Sequence, residues 1–180
     1  MIILVNGSFG VGKSTIAELL VNRIPNSLMY DPEIVGACLS DIVRPIVQFE
    51  DFQDLTMWRT LTITTAQLLK HTYRRTLVVP MTIWYQPYFH EIISGLKQFE
   101  PDLFHFCLAA TTKTIFERLE GRRSEHTSEA YEWICQRVEG CVDAFQSPIF
   151  AVHIGTDARV ADEIASEILS NLHEKLIDAY

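Results

Sequence analysis

The chain has 180 residues, of which 48% are apolar and 21% charged, with 15 Lys+Arg against 23 Asp+Glu for a net charge of −8. That length suits one domain, residues 1–180, with a core that needs no disulfide or metal staple, and the composition excludes disordered, collagen-like and coiled-coil chains. A negative field repels a polyphosphate backbone, so nucleic acid is excluded as a main partner and any phosphate contact must be local.

Short apolar runs alternate with longer helical patterns along the chain. Residues 2–5 form a continuous apolar run of strand length, and 14–24 follow with a stripe at Ile16, Leu19, Leu20 and Ile24. A second strand is predicted at 27–30, then a short helix at 33–40. Residues 51–73 contain no Gly or Pro and read as one long helix. A third strand spans 76–79, and Pro80 ends it. Pro87 occupies the tolerant first turn of a helix predicted at 87–99. A fourth strand covers 104–109. Helices follow at 112–123 and 128–145 around a polar gap, a fifth strand at 149–154, and a closing helix at 159–177 with apolar Val160, Ile164, Ile168, Leu172 and Leu176. Strand–helix alternation with apolar strands predicts a three-layer α/β fold with a five-stranded parallel sheet.

The four cysteines, Cys38, Cys107, Cys135 and Cys141, show neither C-x-x-C pairing nor His partners at zinc-finger spacing, and read as reduced packing thiols. The first residues lack a basic n-region and a full-length apolar core, and no apolar run approaches a bilayer span. A soluble, cytoplasmic protein without a transmembrane segment is expected.

Gly7-Ser8-Phe9-Gly10-Val11-Gly12-Lys13-Ser14 matches G-x-x-x-x-G-K-[ST], and it follows an apolar strand and opens an amphipathic helix. Glycines let successive backbone N–H groups turn inward onto phosphate oxygens, at a helix end that carries partial positive charge. Lys13 can bridge the outer phosphates, and the Ser14 hydroxyl can ligate Mg2+. The phosphate site is read as Gly7 to Thr15.

Asp31 follows the second strand at its carboxyl end, where ligands of open α/β sheets sit. It can take a proton from an acceptor hydroxyl, or it can cap the next helix, since Pro32 and Glu33 follow. Glu33 is read as first-turn helix electrostatics. Arg118, Arg122, Arg123 and Arg137 flank the polar gap, and residues 118–137 are read as a lid whose arginines neutralise transferring phosphate. Their alternative is a solvated basic helix end. The third strand ends in Pro80-Met81-Thr82 without an Asp, which argues against a mechanical ATPase or GTPase switch. Thr82, Trp84 and Tyr85, with Tyr88 and Phe89, follow that strand and either face substrate or pack under a helix. Arg59 either reaches an acceptor phosphate or pairs on the surface. His90, His105 and His153 read as packing or surface residues.

Beyond the glycine loop, Tyr30-Asp31-Pro32-Glu33, Asp51-Phe52-Gln53, Thr72-Tyr73-Arg74, Val79-Pro80-Met81-Thr82-Ile83, Tyr88-Phe89-His90-Glu91 and Ser147-Pro148-Ile149-Phe150 fall in the order found in the tunicamycin-resistance protein family, which the chain resembles from residue 1 to about 157. That family is similar in plan to chloramphenicol phosphotransferase and gluconate kinase. The resemblance implies a nucleoside-monophosphate-kinase-like P-loop fold that binds ATP, a lid around Arg118–Arg123, and Thr156 and Asp157 near the adenine. It also implies that tunicamycin, a nucleoside antibiotic, is bound or modified. Ser14 stands where the family has Thr, which is harmless for Mg2+ ligation, and the family pattern runs further past the last helix.

The reading is an ATP/Mg2+-dependent phosphotransferase acting on a small hydroxylated molecule. Asp31, Lys13, Arg118 and Arg122 are its catalytic set, and Asp31, Arg59, Thr82, Trp84 and Tyr85 form its acceptor side. Its rival is an ATP-gated protein that sequesters the antibiotic without transfer, and a slow ATPase serving a protein partner comes third. The physiological acceptor and the oligomeric state, a homodimer included, stay open.

Overall fold

The computed structural model describes residues 1–177, with side chains to Lys175, so the predicted apolar position Leu176 lies outside the described side chains. The five strands are β1 (Ile2–Gly7), β2 (Ser27–Met29), β3 (Thr76–Pro80), β4 (Leu103–Ala109) and β5 (His153–Gly155). They form one sheet in the order β2-β3-β1-β4-β5, and every pair is parallel. β1 lies at the centre, with Ile2 beside Leu77 and Leu103. Parallel neighbours need crossovers, and helices supply them: α1 (Lys13–Arg23), α2 (Pro32–Val43), α3 (Thr56–Tyr73), α4 (Gln86–Lys97), α5 (Thr112–Gly121), α6 (Ser128–Ala144) and α7 (Ala161–Ile177).

The period-2 alternation of β1 divides the core into two layers. Ile2 and Leu4 join Trp58, Val79, Ile92, Leu96 and Phe150 on one face. Ile3 and Val5 join Ile16, Leu20, Phe106, Ile164 and Ile168 on the other, under α1 and α7. Both faces are therefore covered, which explains why the strands read as continuous apolar runs. A smaller cluster, Ile115, Leu119, Ile134 and Val138, joins α5 to α6.

Two elements depart from their predicted form. The long helix expected from residue 51 starts at Thr56, and Phe52–Asp54 form a separate 3-10 turn. Asp51 Oδ1 accepts the Gln53 N–H at 3.0 Å, and this local bond competes with the helical ladder. The last strand is shorter than expected. Pro148–Phe150 form a 3-10 turn that drives Phe150 into an aromatic nest with Phe89 and Phe145, and only His153–Gly155 pair with β4. Cys107 and Cys141 are buried, burial pushes both thiols up to about 12, and all four cysteines are free. His105 packs 4.9 Å from the Phe89 ring, and burial lowers it to about 4, so it is neutral at pH 7. No helix among the described residues is long and apolar enough to cross a membrane.

Candidate phosphoryl-transfer site

The glycine loop leaves the central strand and delivers its last residues into α1. Gly7 has φ +144°, and a Cβ there would lie 2.6 Å from the Leu108 carbonyl oxygen of β4. Gly12 caps α1 with φ +106°, which an L side chain rarely adopts. The loop is anchored from below by Asn6, which is fully buried. Its Oδ1 accepts the N–H of Gly7 and of Ile83, both at 2.9 Å, and its Nδ2 donates to the Ile83 carbonyl. One side chain thus locks the phosphate loop to the segment after β3. From above, Phe9 meets Trp133 of α6 edge-on at 5.6 Å. Lys13 Nζ donates to the Ser8 carbonyl at 2.9 Å, across the loop it serves. Ser14 and Thr15 are exposed in the first turn of α1, a turn with no acidic residue. A cradle too tight for a Cβ, a lysine across it and a free hydroxyl at its rim suit polyphosphate with Mg2+.

Two cavities open on either side of this loop. The first, about 410 Å3, lies beneath Gly10, Gly12, Thr15, Arg118, Thr156 and Arg159. Arg118 is held there by three bonds, to the Val11 carbonyl at 3.1 Å, Thr156 Oγ1 at 3.0 Å and the Thr156 carbonyl at 2.8 Å. It is a tie between α5, the phosphate loop and the loop after β5. Asp157 lines a neighbouring surface hollow with Thr111 and Thr112 rather than this cavity. Its carboxylate accepts the Thr111 N–H at 3.0 Å, and hydrogen bonds from Thr114 and Thr111 hold its pKa below the usual range.

The second cavity, about 370 Å3, is lined by Lys13, Ser14, Glu33, Gln53, Thr82 and Arg122 among others. Glu33 Oε1 accepts the Thr82 N–H at 3.0 Å. Withdrawal from water pushes the Glu33 carboxyl up, and the facing Lys13 ammonium pulls part of that back. Burial lowers Lys13 in turn, with Glu33 the foremost group opposing it. Asp31 accepts the Glu33 N–H at 2.9 Å and caps α2, the structural alternative its sequence allowed. Its carboxyl is pushed up by burial, and the Glu33 N–H and Lys13 hold it down in part. Thr82 is 2% exposed and its Oγ1 has no hydrogen-bond partner among the described residues. Arg122 lines both cavities, as does Gly10, and its guanidinium bonds Glu125 at 2.6 Å in the turn after α5.

An outer basin of about 640 Å3 continues from the second cavity and shares Asp51 and Gln53 with it. Trp84, Tyr85 and Tyr88 line it, while Phe89 turns into the core. Arg59 does not reach it as a free cation. It is 7% exposed, donates to Glu91 at 2.6 Å and to the Gln53 carbonyl, and lies 4.1 Å from the Tyr88 ring centroid. These contacts are those of the pairing alternative for Arg59, with Glu91 as partner, and they support the Gln53 turn and Tyr88.

The structure brings Lys13, Ser14, Thr82 and Arg122 together around one cavity and places Trp84 and Tyr85 in its outer extension. It does not bring Asp31 and Arg118 to that wall. Glu33, Asp51, Gln53 and Arg159 also line these cavities; none of them was read as a site residue from the sequence, where Glu33 stood as first-turn helix electrostatics.

No protein-family model matches the chain, and no curated protein matches it in sequence. Among solved structures, the fold is similar to that of the Deinococcus radiodurans tunicamycin resistance protein, with TM-score 0.76, 26% identity, and coverage of 96% of this chain and 95% of that one. It is also similar to a gluconokinase from Sinorhizobium meliloti (TM-score 0.68, 18% identity, 99% and 94% covered). A shikimate kinase from Acinetobacter baumannii matches at TM-score 0.59, 13% identity, with 97% and 93% covered. The fold is that of the three-layer α/β P-loop kinases.

Proposed function

We propose that this P-loop chain transfers the terminal phosphoryl group of ATP to a hydroxyl of a small molecule. The observation that carries the reading is the meeting of two cavities at Gly10 and Arg122, with Lys13, Ser14 and Glu33 on the inner wall of the second. A nucleotide in the first cavity and an acceptor in the second would share that junction, as in-line transfer requires.

In this reading the backbone N–H groups of residues 8–14 hold the phosphates, and Ser14 would hold Mg2+. The metal, when bound, neutralises phosphate charge. Lys13 leaves the Ser8 carbonyl for the bridging oxygens. Glu33 accepts the acceptor's hydroxyl proton on a carboxylate oxygen and orients the attacking oxygen. Asp31 acts through it, because the capped first turn of α2 fixes where Glu33 points. Arg122 exchanges Glu125 for the transferring group, while Arg118, Thr156 and Arg159 hold the nucleoside end.

The likeness to a tunicamycin resistance protein makes tunicamycin the first acceptor to try. Purified protein is incubated with ATP·Mg2+, with and without the drug, and followed by mass spectrometry. The expected result is a drug heavier by one phosphoryl group, with stoichiometric ADP. Bound but unmodified drug beside intact ATP overturns transfer to this acceptor and supports sequestration.

A further inference from the structure

The first cavity meets a nucleotide's base with hydrogen-bond donors. Its charged lining residues are Arg118, Arg122 and Arg159, and none of its described lining side chains is a carboxylate or a carboxamide. Such a cationic hollow contrasts with a chain of net charge −8. The carbonyls that Arg118 and Arg159 reach are thereby engaged. Those of Val11 and Thr156 take Arg118, and that of Gly155 takes Arg159 Nη1 at 2.9 Å. Thr156 Oγ1 also takes Arg118, and at 1% exposure the residue is sealed from a ligand.

The arginines are not equivalent. Arg118 ties α5 to Val11 and Thr156, and Arg122 bonds Glu125 where the two cavities meet. Arg159 stands just before α7. It bonds the Gly155 carbonyl and pairs with Glu167 at 2.7 Å, a residue outside the cavity wall. Both contacts use Nη1, and the side chain is 31% exposed, so Nε and Nη2 keep N–H groups for a ligand. Ile16, Ala161 and Ile164 line the same cavity and give a ring an apolar face.

Purines differ in how they meet such a wall. Adenine's exocyclic amino group is a donor and needs an acceptor. Guanine and hypoxanthine carry an oxo group beside a ring nitrogen, a pair of acceptors that a guanidinium meets bidentately. We infer that Arg159 reads the base of the phosphoryl donor, and that the donors are purine nucleoside triphosphates with the oxopurines favoured over adenine. This rests on placing the nucleotide in the first cavity and names its class; ATP is a weaker member of it.

Calorimetric titration of ADP, IDP and GDP with Mg2+ into the full chain reads binding without turnover. IDP has the oxo group and lacks guanine's extra amino group. GDP and IDP are expected to bind about fivefold more tightly than ADP, the low end of what a bidentate arginine–base pair supports. Arg159→Met keeps the apolar stem, gives up a partly exposed ion pair of small worth to the fold, and should bring the three diphosphates within about twofold of one another. ADP binding as tightly as GDP or more so overturns the assignment, and points to a backbone carbonyl, as at Gly121, as the reader of the amine. IDP behaving like ADP overturns it too, because the discriminating group is then guanine's amino group. Equal weakening of all three in Arg159→Met, the pattern of a phosphate contact, removes Arg159 as the reader, as does a preference that the variant leaves unmoved. Failure of all three to bind overturns the nucleotide placement together with this assignment. Transfer is read separately, by mass spectrometry of tunicamycin with GTP·Mg2+. The expected diphosphate preference without a phosphorylated product breaks the transfer reading for this acceptor and leaves the base assignment standing.

Discussion

The two cavities beside the glycine loop are built by different means. The first cavity, proposed for the nucleotide, borders the backbone of the glycine loop, with glycines at positive φ and a helix start, and is closed by an arginine whose three bonds end on Val11 and Thr156. The second cavity, proposed for the acceptor, is lined by polar side chains, Glu33, Gln53, Thr82 and Asp51, which bond one another's backbone, Glu33 to the Thr82 N–H and Gln53 to the Thr82 carbonyl. A backbone cradle suits a ligand common to many proteins, because every residue has an N–H. A side-chain pocket suits a ligand particular to this one. Substitutions on the two sides should therefore fail differently.

The largest effect is expected where the sides meet. Lys13→Ala removes the ammonium that faces Glu33 and, in the proposed reading, would reach the phosphates, and transfer should fall about 10³-fold with weaker ATP binding. Unchanged ATP affinity in an equilibrium titration would remove Lys13 from the nucleotide side.

Glu33→Gln should sharpen the contrast. We expect kcat to fall about 10²-fold or more while ATP affinity holds. In the wild type, activity should decline as pH drops through the raised Glu33 value, because the proton acceptor is then occupied. Stability should move the other way. A carboxyl whose folded pKa is raised loses its proton first in the unfolded chain, so stability falls as pH rises from the ordinary carboxylate value through the raised one. Glu33→Gln removes that penalty, and Tm at pH 7 should rise by about 2 °C. A drop in Tm would show that the Lys13–Glu33 attraction outweighs desolvation.

Arg118 and Arg122 lie on one helix face yet belong to different sides. Arg118→Ala breaks three bonds and should lower stability by about 2 kcal/mol, read as a Tm lower by about 6 °C. Arg122→Ala loses only an exposed pair with Glu125, so Tm should hold while kcat falls about tenfold. Equal Tm losses in the two variants would break the distinction.

The smallest effect is expected from Thr82→Val. It removes a buried hydroxyl that lacks a partner, so the ligand-free protein should gain about 1 kcal/mol in denaturant unfolding. The KM for acceptor and for ATP should both hold, because the hydroxyl is sealed from the cavity; a raised acceptor KM would show that it opens to the ligand.

Much of the molecule was legible before the structure. Periodicity placed the five strands and the helices between them, because burial on both faces of a parallel sheet demands unbroken apolar runs. The glycine loop between β1 and α1 was legible because its pattern is local: glycines, a lysine and a helix start within eight residues. Errors fell where a local bond or a single buried side chain outranked the pattern. Asp51 turned the start of a long helix into a separate turn, and Phe150 pulled an expected strand into the core. Which carboxylate faces Lys13 was decided by capping. Asp31 spends an oxygen on the Glu33 N–H, and the helix so begun carries Glu33 onto the cavity wall. Arg59 was an exposed candidate in the sequence and a buried strut in the fold, because Glu91, 32 residues away, meets it only after α3 and α4 pack. Local geometry thus follows from neighbours in the chain, and it determined the glycine loop. The second cavity and its outer basin join residues from β2–α2, the turn before α3, the end of β3 and α6, and only packing brings their charges into one low-dielectric space, where partners decide which are free.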